Sequence, residues 1–200
     1  MFNSGLRGKI EYEELLDPKG TYIFVANHTS YLDILSLNVM LPQFFNFMAK
    51  QELGKIPLFG IFFRTIDIAV NRKSVKASHT AFLKAAEQLK MGEGITIFPE
   101  GTINDRAPIL SKFKPGAFRL AVDTGLEIVP ITILDNWKRL PDQGRFEGTP
   151  GKMRMYVHRA IKTAHLKPED AEELKQNVFA IIEYKLKQND SIKRVYESNR

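Results

Sequence analysis

Hydrophobic positions along the chain switch between unbroken apolar runs, helical spacing and strict alternation, and the switches mark its elements. Residues 22–26 (Tyr-Ile-Phe-Val-Ala) are an unbroken apolar run of strand length, as a strand covered on both faces requires. Residues 44–49, 66–70 and 95–98 read as further strands, 127–133 as another that contains Pro130, and 9–13 as a short one. Met153, Met155 and Val157 alternate with polar residues, the pattern of a half-buried strand. Helices are predicted over 32–41, which Pro42 stops, and over 57–64. Ser74 suits the N-cap of a helix running to Lys90, with Val75, Phe82, Ala85, Ala86 and Leu89 on one face and Gly92 at its end. A helix over 113–124 is closed by Gly125, and a last one runs from Pro168 to about Lys187.

Strands alternating with helices predict an α/β fold with a mixed, mostly parallel central sheet flanked by helices. No repeat, low-complexity stretch or linker interrupts the pattern, so residues 1–200 read as one domain. In such sheets ligands bind where strands end and helices begin. Two segments of that form carry chemical groups.

The first is Asn27-His28-Thr29-Ser30-Tyr31-Leu32-Asp33, which follows the buried strand at 22–26. His28 and Asp33 would point about 140° apart on a continuous helix. They meet only if His28 lies in the loop and Asp33 in the first helical turn, as an N-cap at Ser30 would arrange. There the helix N-terminus favours a negative charge at Asp33. A carboxylate bonded to one imidazole nitrogen fixes the tautomer and leaves the other nitrogen to take a proton from a hydroxyl. The same spacing, Ser30-x-x-Asp33, is also that of a capping box, in which Asp33 binds only backbone amides. The second segment is Phe98-Pro99-Glu100-Gly101-Thr102. Its glycine suits close approach of a ligand to the backbone, and N–H groups of such a turn suit an oxyanion. An ordinary turn with a solvated Glu100 fits the same residues.

Composition removes several chemistries. There is no cysteine, which excludes thiolate nucleophiles, Cys-based zinc sites and disulfides. His28, His79, His158 and His165 show no metal-ligand spacing, so no metal is expected, and no phosphate-binding Gly-x-x-x-x-Gly-Lys loop is present. Trp137 reads as a packing residue. The net charge of +6 suits an anionic partner. No block of five like charges marks a nucleic-acid tail, so nucleic acid is not expected. No apolar run approaches the roughly 18 residues of a bilayer span, and the first nine residues lack the apolar centre of a signal peptide.

Asn27-His28-x-Ser30-x-x-Asp33, then Phe98-Pro99-Glu100-Gly101-Thr102, then Val129-Pro130-Ile131-Thr132, resembles the glycerolipid acyltransferase family, closest to its 1-acyl-glycerol-3-phosphate acyltransferases. Lys50-Gln51-Glu52-Leu53 with Ile56-Pro57-Leu58-Phe59-Gly60, and Phe113-Lys114-x-Gly116-Ala117-Phe118, extend the likeness over roughly residues 9–133. The resemblance implies a glycerol-3-phosphate acyltransferase-like fold and transfer of an acyl group to a lysophospholipid hydroxyl. His28 would be the general base and Asp33 its partner. The donor would be acyl-coenzyme A or acyl carrier protein, a co-substrate rather than a cofactor, with no acyl-enzyme. Glu100, Gly101 and Thr102 would shape the acceptor site, and Lys50 and Arg72 would bind its phosphate, a role to which an Arg fork is well suited. Read without the family, Lys50 and Arg72 are ordinary solvated cations.

The chain departs from the family pattern at three points. Ile103 stands where the family usually has Arg, with Arg106, Lys112 or Lys114 near enough to compensate. Val70-Asn71-Arg72 stands for the usual Ile-Asp-Arg. The apolar helical segment that usually precedes the first strand is missing, which reads either as membrane binding without a span or, the favoured expectation, as trimming of a membrane segment. The expected setting is a membrane surface on its cytoplasmic face. Phe44, Phe45, Phe47 and residues 56–63, beside Lys50, Lys55 and Arg64, form an aromatic and basic region suited to lipid or to an acyl channel, and at least half of these side chains are expected in the core. Two alternatives stay open: the same chemistry on another lysolipid, and a non-catalytic domain that binds anionic lipid.

Overall fold

The computed structural model describes residues 5–50, 68–70, 75–103, 106–141 and 148–198, with 49–50, 69–70 and 75–79 as backbone only. Among the described residues seven strands form one sheet: β1 (Leu6–Tyr12), β2 (Ile23–Ala26), β3 (Phe45–Lys50), β4 (Ile68–Val70), β5 (Gly94–Ile97), β6 (Ile128–Ile133) and β7 (Gly151–Val157). Their spatial order is β1-β7-β6-β2-β5-β3-β4. All neighbours run parallel except β6 and β7. The sheet is mixed and mostly parallel, as the alternation of elements predicts.

Period-two alternation within each strand divides the core between the two faces. Ile23, Val25, Ile95, Ile97 and Ile128 point to one face, beneath the helices α2 (Val75–Lys90), α3 (Gly116–Thr124), α5 (Ala171–Lys187) and α6 (Asp190–Ser198). Phe24, Ala26, Val129, Ile131 and Ile133 point to the other, against α1 (Leu32–Met40). On α1, Ile34 and Leu37 are one turn apart and buried against the sheet. That contact sets the rotation of the helix, and with it the direction in which Asp33 and Ser36 project.

Helix α3 starts at Gly116 rather than at 113, with Pro115 at its N-cap. The residue before a proline is disfavoured in helical conformation, so Lys114 stays outside, and its N–H goes to the Pro99 carbonyl at 2.9 Å. Gly125 closes α3 at φ +67°, as expected of a left-handed cap. Pro130 is tolerated inside β6 because it contributes only its carbonyl, which accepts the His158 N–H at 3.0 Å. Residues 168–170 form a 3-10 turn ahead of α5. Two helices were not predicted: α4 (Asn136–Arg139) and α6. The predicted helix over 57–64 and the start of the strand at 66–70 lie outside the described residues. No described helix is long and apolar enough to cross a membrane.

Candidate active site

Strands β2 and β5 are adjacent and parallel, with Val25 level with Ile97. Their following loops, residues 27–31 and 98–102, therefore emerge side by side at the carboxyl edge of the sheet. Strand β6 flanks β2 on its other side, also parallel, and delivers α4 to the same edge. The sheet thus joins sequence segments that lie far apart in the chain. Asn27 closes the β2–β6 seam with its side chain: its Oδ1 accepts the Ile133 N–H at 2.7 Å and its Nδ2 donates to the Ile133 carbonyl at 3.0 Å.

His28 and Asp33 meet as predicted, with Nδ1 and Oδ2 3.0 Å apart. Asp33 is fully buried. Its Oδ2 also accepts the N–H groups of Thr29 at 2.6 Å and Ser30 at 2.9 Å, and its Oδ1 accepts from Asn136 Nδ2 at 2.9 Å. The backbone and amide partners are all donors, the arrangement a carboxylate requires. Facing that acceptor, His28 presents Nδ1–H, which leaves Nε2 with its lone pair, and no described residue bonds it. The two readings of Ser30-x-x-Asp33 hold together: Asp33 serves backbone amides and the imidazole at once. The cap itself is displaced. Tyr31 is the N-cap, and the Ser30 hydroxyl accepts the Leu32 N–H at 3.1 Å while donating to the Leu140 carbonyl at 2.7 Å.

The His28 ring is held on one face by an aromatic neighbour. It stacks on Phe98 at 4.0 Å between centroids and 13° between planes. Phe98 stacks in turn on Phe47, which meets Phe45 edge-on. Phe45 and Phe47 are core residues, whereas Phe44 is exposed.

Glu100 is a tie between loops. Its Oε1 accepts the His28 N–H and its Oε2 the Ser111 N–H, each at 2.8 Å, and the residue is buried. Gly101 sits at φ +81° and gives its N–H to the Phe98 carbonyl at 3.0 Å, which closes the turn and commits that amide. A β-carbon on Gly101 would lie 2.6 Å from Lys114 Nζ, so the lysine stem crosses the turn directly. Thr102 is exposed, and Ile103 is half-buried. Lys50 ends β3, its side chain beyond the described residues, and Arg72 lies outside them altogether. Asn27, Phe98, Asn136 and Lys114 complete the site. Asn27 and Phe98 belong to the two predicted motifs and Lys114 to the Phe113–Phe118 block, whereas Asn136 carries no signal in the sequence.

A cleft of about 940 Å³ opens between α2, α3 and β5 and begins at Phe98, Pro99 and Gly101. Phe82, Ala86, Leu89, Ile97 and Leu120 make it mainly apolar, and Lys114 stands at the Gly101 end. Among the described residues no three His, Asp or Glu gather as metal ligands.

A second buried histidine lies away from this site. His158 Nε2 is 2.8 Å from Thr132 Oγ1, and Nδ1 is 3.5 Å from Glu13 Oε2. Burial pushes its pKa down to about 4, against the opposing pull of Glu13.

The family model described as Acyltransferase matches residues 7–134. A 1-acyl-sn-glycerol-3-phosphate acyltransferase of Chlamydomonas reinhardtii is 33% identical over 150 residues, covering 74% of this chain and 45% of that protein. A chloroplastic enzyme of the same description from Arabidopsis thaliana is 33% identical over 140 residues, 70% of this chain and 39% of its own length. The chain thus spans less than half of these two relatives. The crystal structure of the 1-acyl-sn-glycerophosphate acyltransferase PlsC from Thermotoga maritima superposes with a TM-score of 0.73 at 29% identity, over 90% of this chain and 72% of that one.

Proposed function

Because the chain belongs to the Acyltransferase family, we propose that it moves a fatty acyl group from a thioester to the sn-2 hydroxyl of 1-acyl-glycerol-3-phosphate, with His28 as general base. The observation that carries this reading is the His28–Asp33 pair at the sheet edge, whose Nε2 is left unbonded by the described residues. The acceptor hydroxyl oxygen attacks the thioester carbonyl as its proton passes to Nε2. The tetrahedral intermediate then collapses, the carbon–sulfur bond breaks, and the thiolate leaves and takes that proton. The products are phosphatidic acid and free thiol. Asp33 holds the ring in the required tautomer and supports the transient imidazolium.

Glu100 sets the height of His28 through the backbone, and Gly101 lets the turn close beneath Lys114. The apolar cleft beginning at Phe98 has the size and lining for an acyl chain. The donor is acyl-coenzyme A or acyl carrier protein, and Lys50 and Arg72 are proposed to hold the acceptor phosphate. The setting is a membrane surface on its cytoplasmic face, favoured by the charge of +6 and by a lipid acceptor.

Ile103 favours a second reading, in which the acceptor is another lysolipid. Thiol release in detergent micelles, measured with acyl-coenzyme A and acyl carrier protein against a panel of lysolipids, tests both. Acceptor-dependent release with lysophosphatidic acid supports the first reading. Release only with another lysolipid supports the second, and silence throughout overturns acyl transfer.

A further inference from the structure

Asn136 is fully buried at the start of α4 and reaches Asp33 across 103 residues of sequence. Its Nδ2 divides its two hydrogens between Asp33 Oδ1 and Ser36 Oγ, both at 2.9 Å. The Ser36 hydroxyl is itself committed to the Asp33 carbonyl at 3.0 Å, so it accepts from Asn136 rather than donating. The amide can sit in one sense only, because turning it over would set its oxygen against the carboxylate. With the amide so placed, Oδ1 is buried with no hydrogen-bond partner among the described residues. A buried acceptor left unbonded carries a desolvation cost. The fold accepts that cost while spending both amide hydrogens on the helix that bears Asp33.

Helix α4 holds the same loop at a second point, where the Leu140 carbonyl receives the Ser30 hydroxyl. Four residues of helix are too few to be stable alone. Asp135, next to Asn136, is locked by a two-point pair with Arg154 at 2.6 and 2.8 Å, which anchors the start of α4 to β7. Asn136 is thus a fixed donor aimed at one oxygen of Asp33, while the other oxygen faces His28.

We propose that Asn136 is a positioning residue for the reaction, extending the His28–Asp33 pair to a buried His–Asp–Asn line. This rests on the reading of His28 as general base. Asn136 holds Asp33 in the rotamer that points Oδ2 at Nδ1, and it keeps the carboxylate supplied with donors when the imidazolium forms. It lies two residues beyond the segment matched by the family model, and no local motif marks it.

Asn136→Leu removes the donor and keeps the number and branching of the side-chain heavy atoms. The expected result is a fall in kcat of about tenfold, a fraction of the roughly 10²–10⁴-fold carried by a general base, with both KM values unchanged. Asn136→Asp keeps the shape and separates positioning from packing. At low pH the new carboxyl is protonated and still donates to Asp33. As pH rises it ionises and repels Asp33, which undoes the positioning. The ratio of variant to wild-type kcat therefore falls with rising pH, whereas a residue that only packs gives a flat ratio. Asp33 and Glu100 are the other charged groups that touch His28 among the described residues, and both are unchanged in the comparison. Urea unfolding at pH 5.5 and 8 supplies a readout that needs no turnover: the destabilisation of Asn136→Asp should be larger at pH 8. Normal kcat in Asn136→Leu with a flat Asn136→Asp ratio overturns the proposal, as does a pH-dependent destabilisation without any change in kcat. A wild-type protein inert toward every thioester and lysolipid overturns the acyltransferase reading itself, and the unfolding arm then still decides whether Asn136 faces an ionised Asp33.

Discussion

Glu100 Oε1 lies 2.8 Å from the backbone nitrogen of His28, so the carboxylate grips the main chain of the proposed base and leaves its ring alone. The other oxygen grips Ser111 at the same distance. One side chain therefore sets the spacing of two loops around the imidazole. An acid at this position can matter for activity without touching substrate.

Glu100→Gln should weaken the molecule and its activity together. An amide offers one acceptor oxygen and turns a donor toward the remaining N–H, leaving a buried amide unpaired at a cost of about 1–3 kcal/mol. Urea denaturation reads the stability loss. Turnover should fall, because His28 loses its height and not its partner. Unchanged stability would mean that the Glu100 ties carry no weight.

Gly101→Ala places a side chain at φ +81° and drives a β-carbon into Lys114. The positive φ alone costs about 1–2 kcal/mol. The lysine stem can swing away, so its share is recoverable. A double-mutant cycle with Lys114→Ala separates the two: the double variant should be more stable than the sum of the single losses, yet still less stable than Lys114→Ala alone. Strict additivity would show that the stem does not cross the turn.

His158 gives the fold an acid sensitivity of its own. Its folded pKa of about 4 lies below the unfolded value near 6.5, so between these pH values the unfolded chain binds the extra proton. Stability is therefore lost as pH falls through that window, by an amount on the order of 2–3 kcal/mol. Replacing His158 with Gln, which can still bond Thr132, should flatten the melting temperature between pH 6.5 and 4. A wild-type slope in the variant would assign the acid sensitivity to other groups.

The sequence showed the parts of the site that are local and left out the parts that are not. The His28–Asp33 meeting follows from a strand end, a short loop and a first helical turn, all within residues 22–33. The proximity of Glu100 follows once β2 and β5 are neighbours in a parallel sheet. Nothing local marks α4, a four-residue helix with no room for periodicity, held by Asp135–Arg154 and by Asn136 across 103 residues. Helix α6 escaped for a related reason: only Ile192 on it is fully buried, and Tyr196 earns its place by taking the Leu110 N–H at 3.1 Å. Helix α3 starts later than the apolar spacing from Phe113 predicts, because the effect of Pro115 on Lys114 outweighs that spacing.

The claim that His28 is the base is tested most directly by His28→Ala, with thiol release from acyl-coenzyme A and binding to lysophosphatidic acid micelles measured on the same preparation. A loss of turnover of roughly 10²–10⁴-fold with lipid binding near the wild-type level is the expected result. A variant that turns over at the wild-type rate would contradict it.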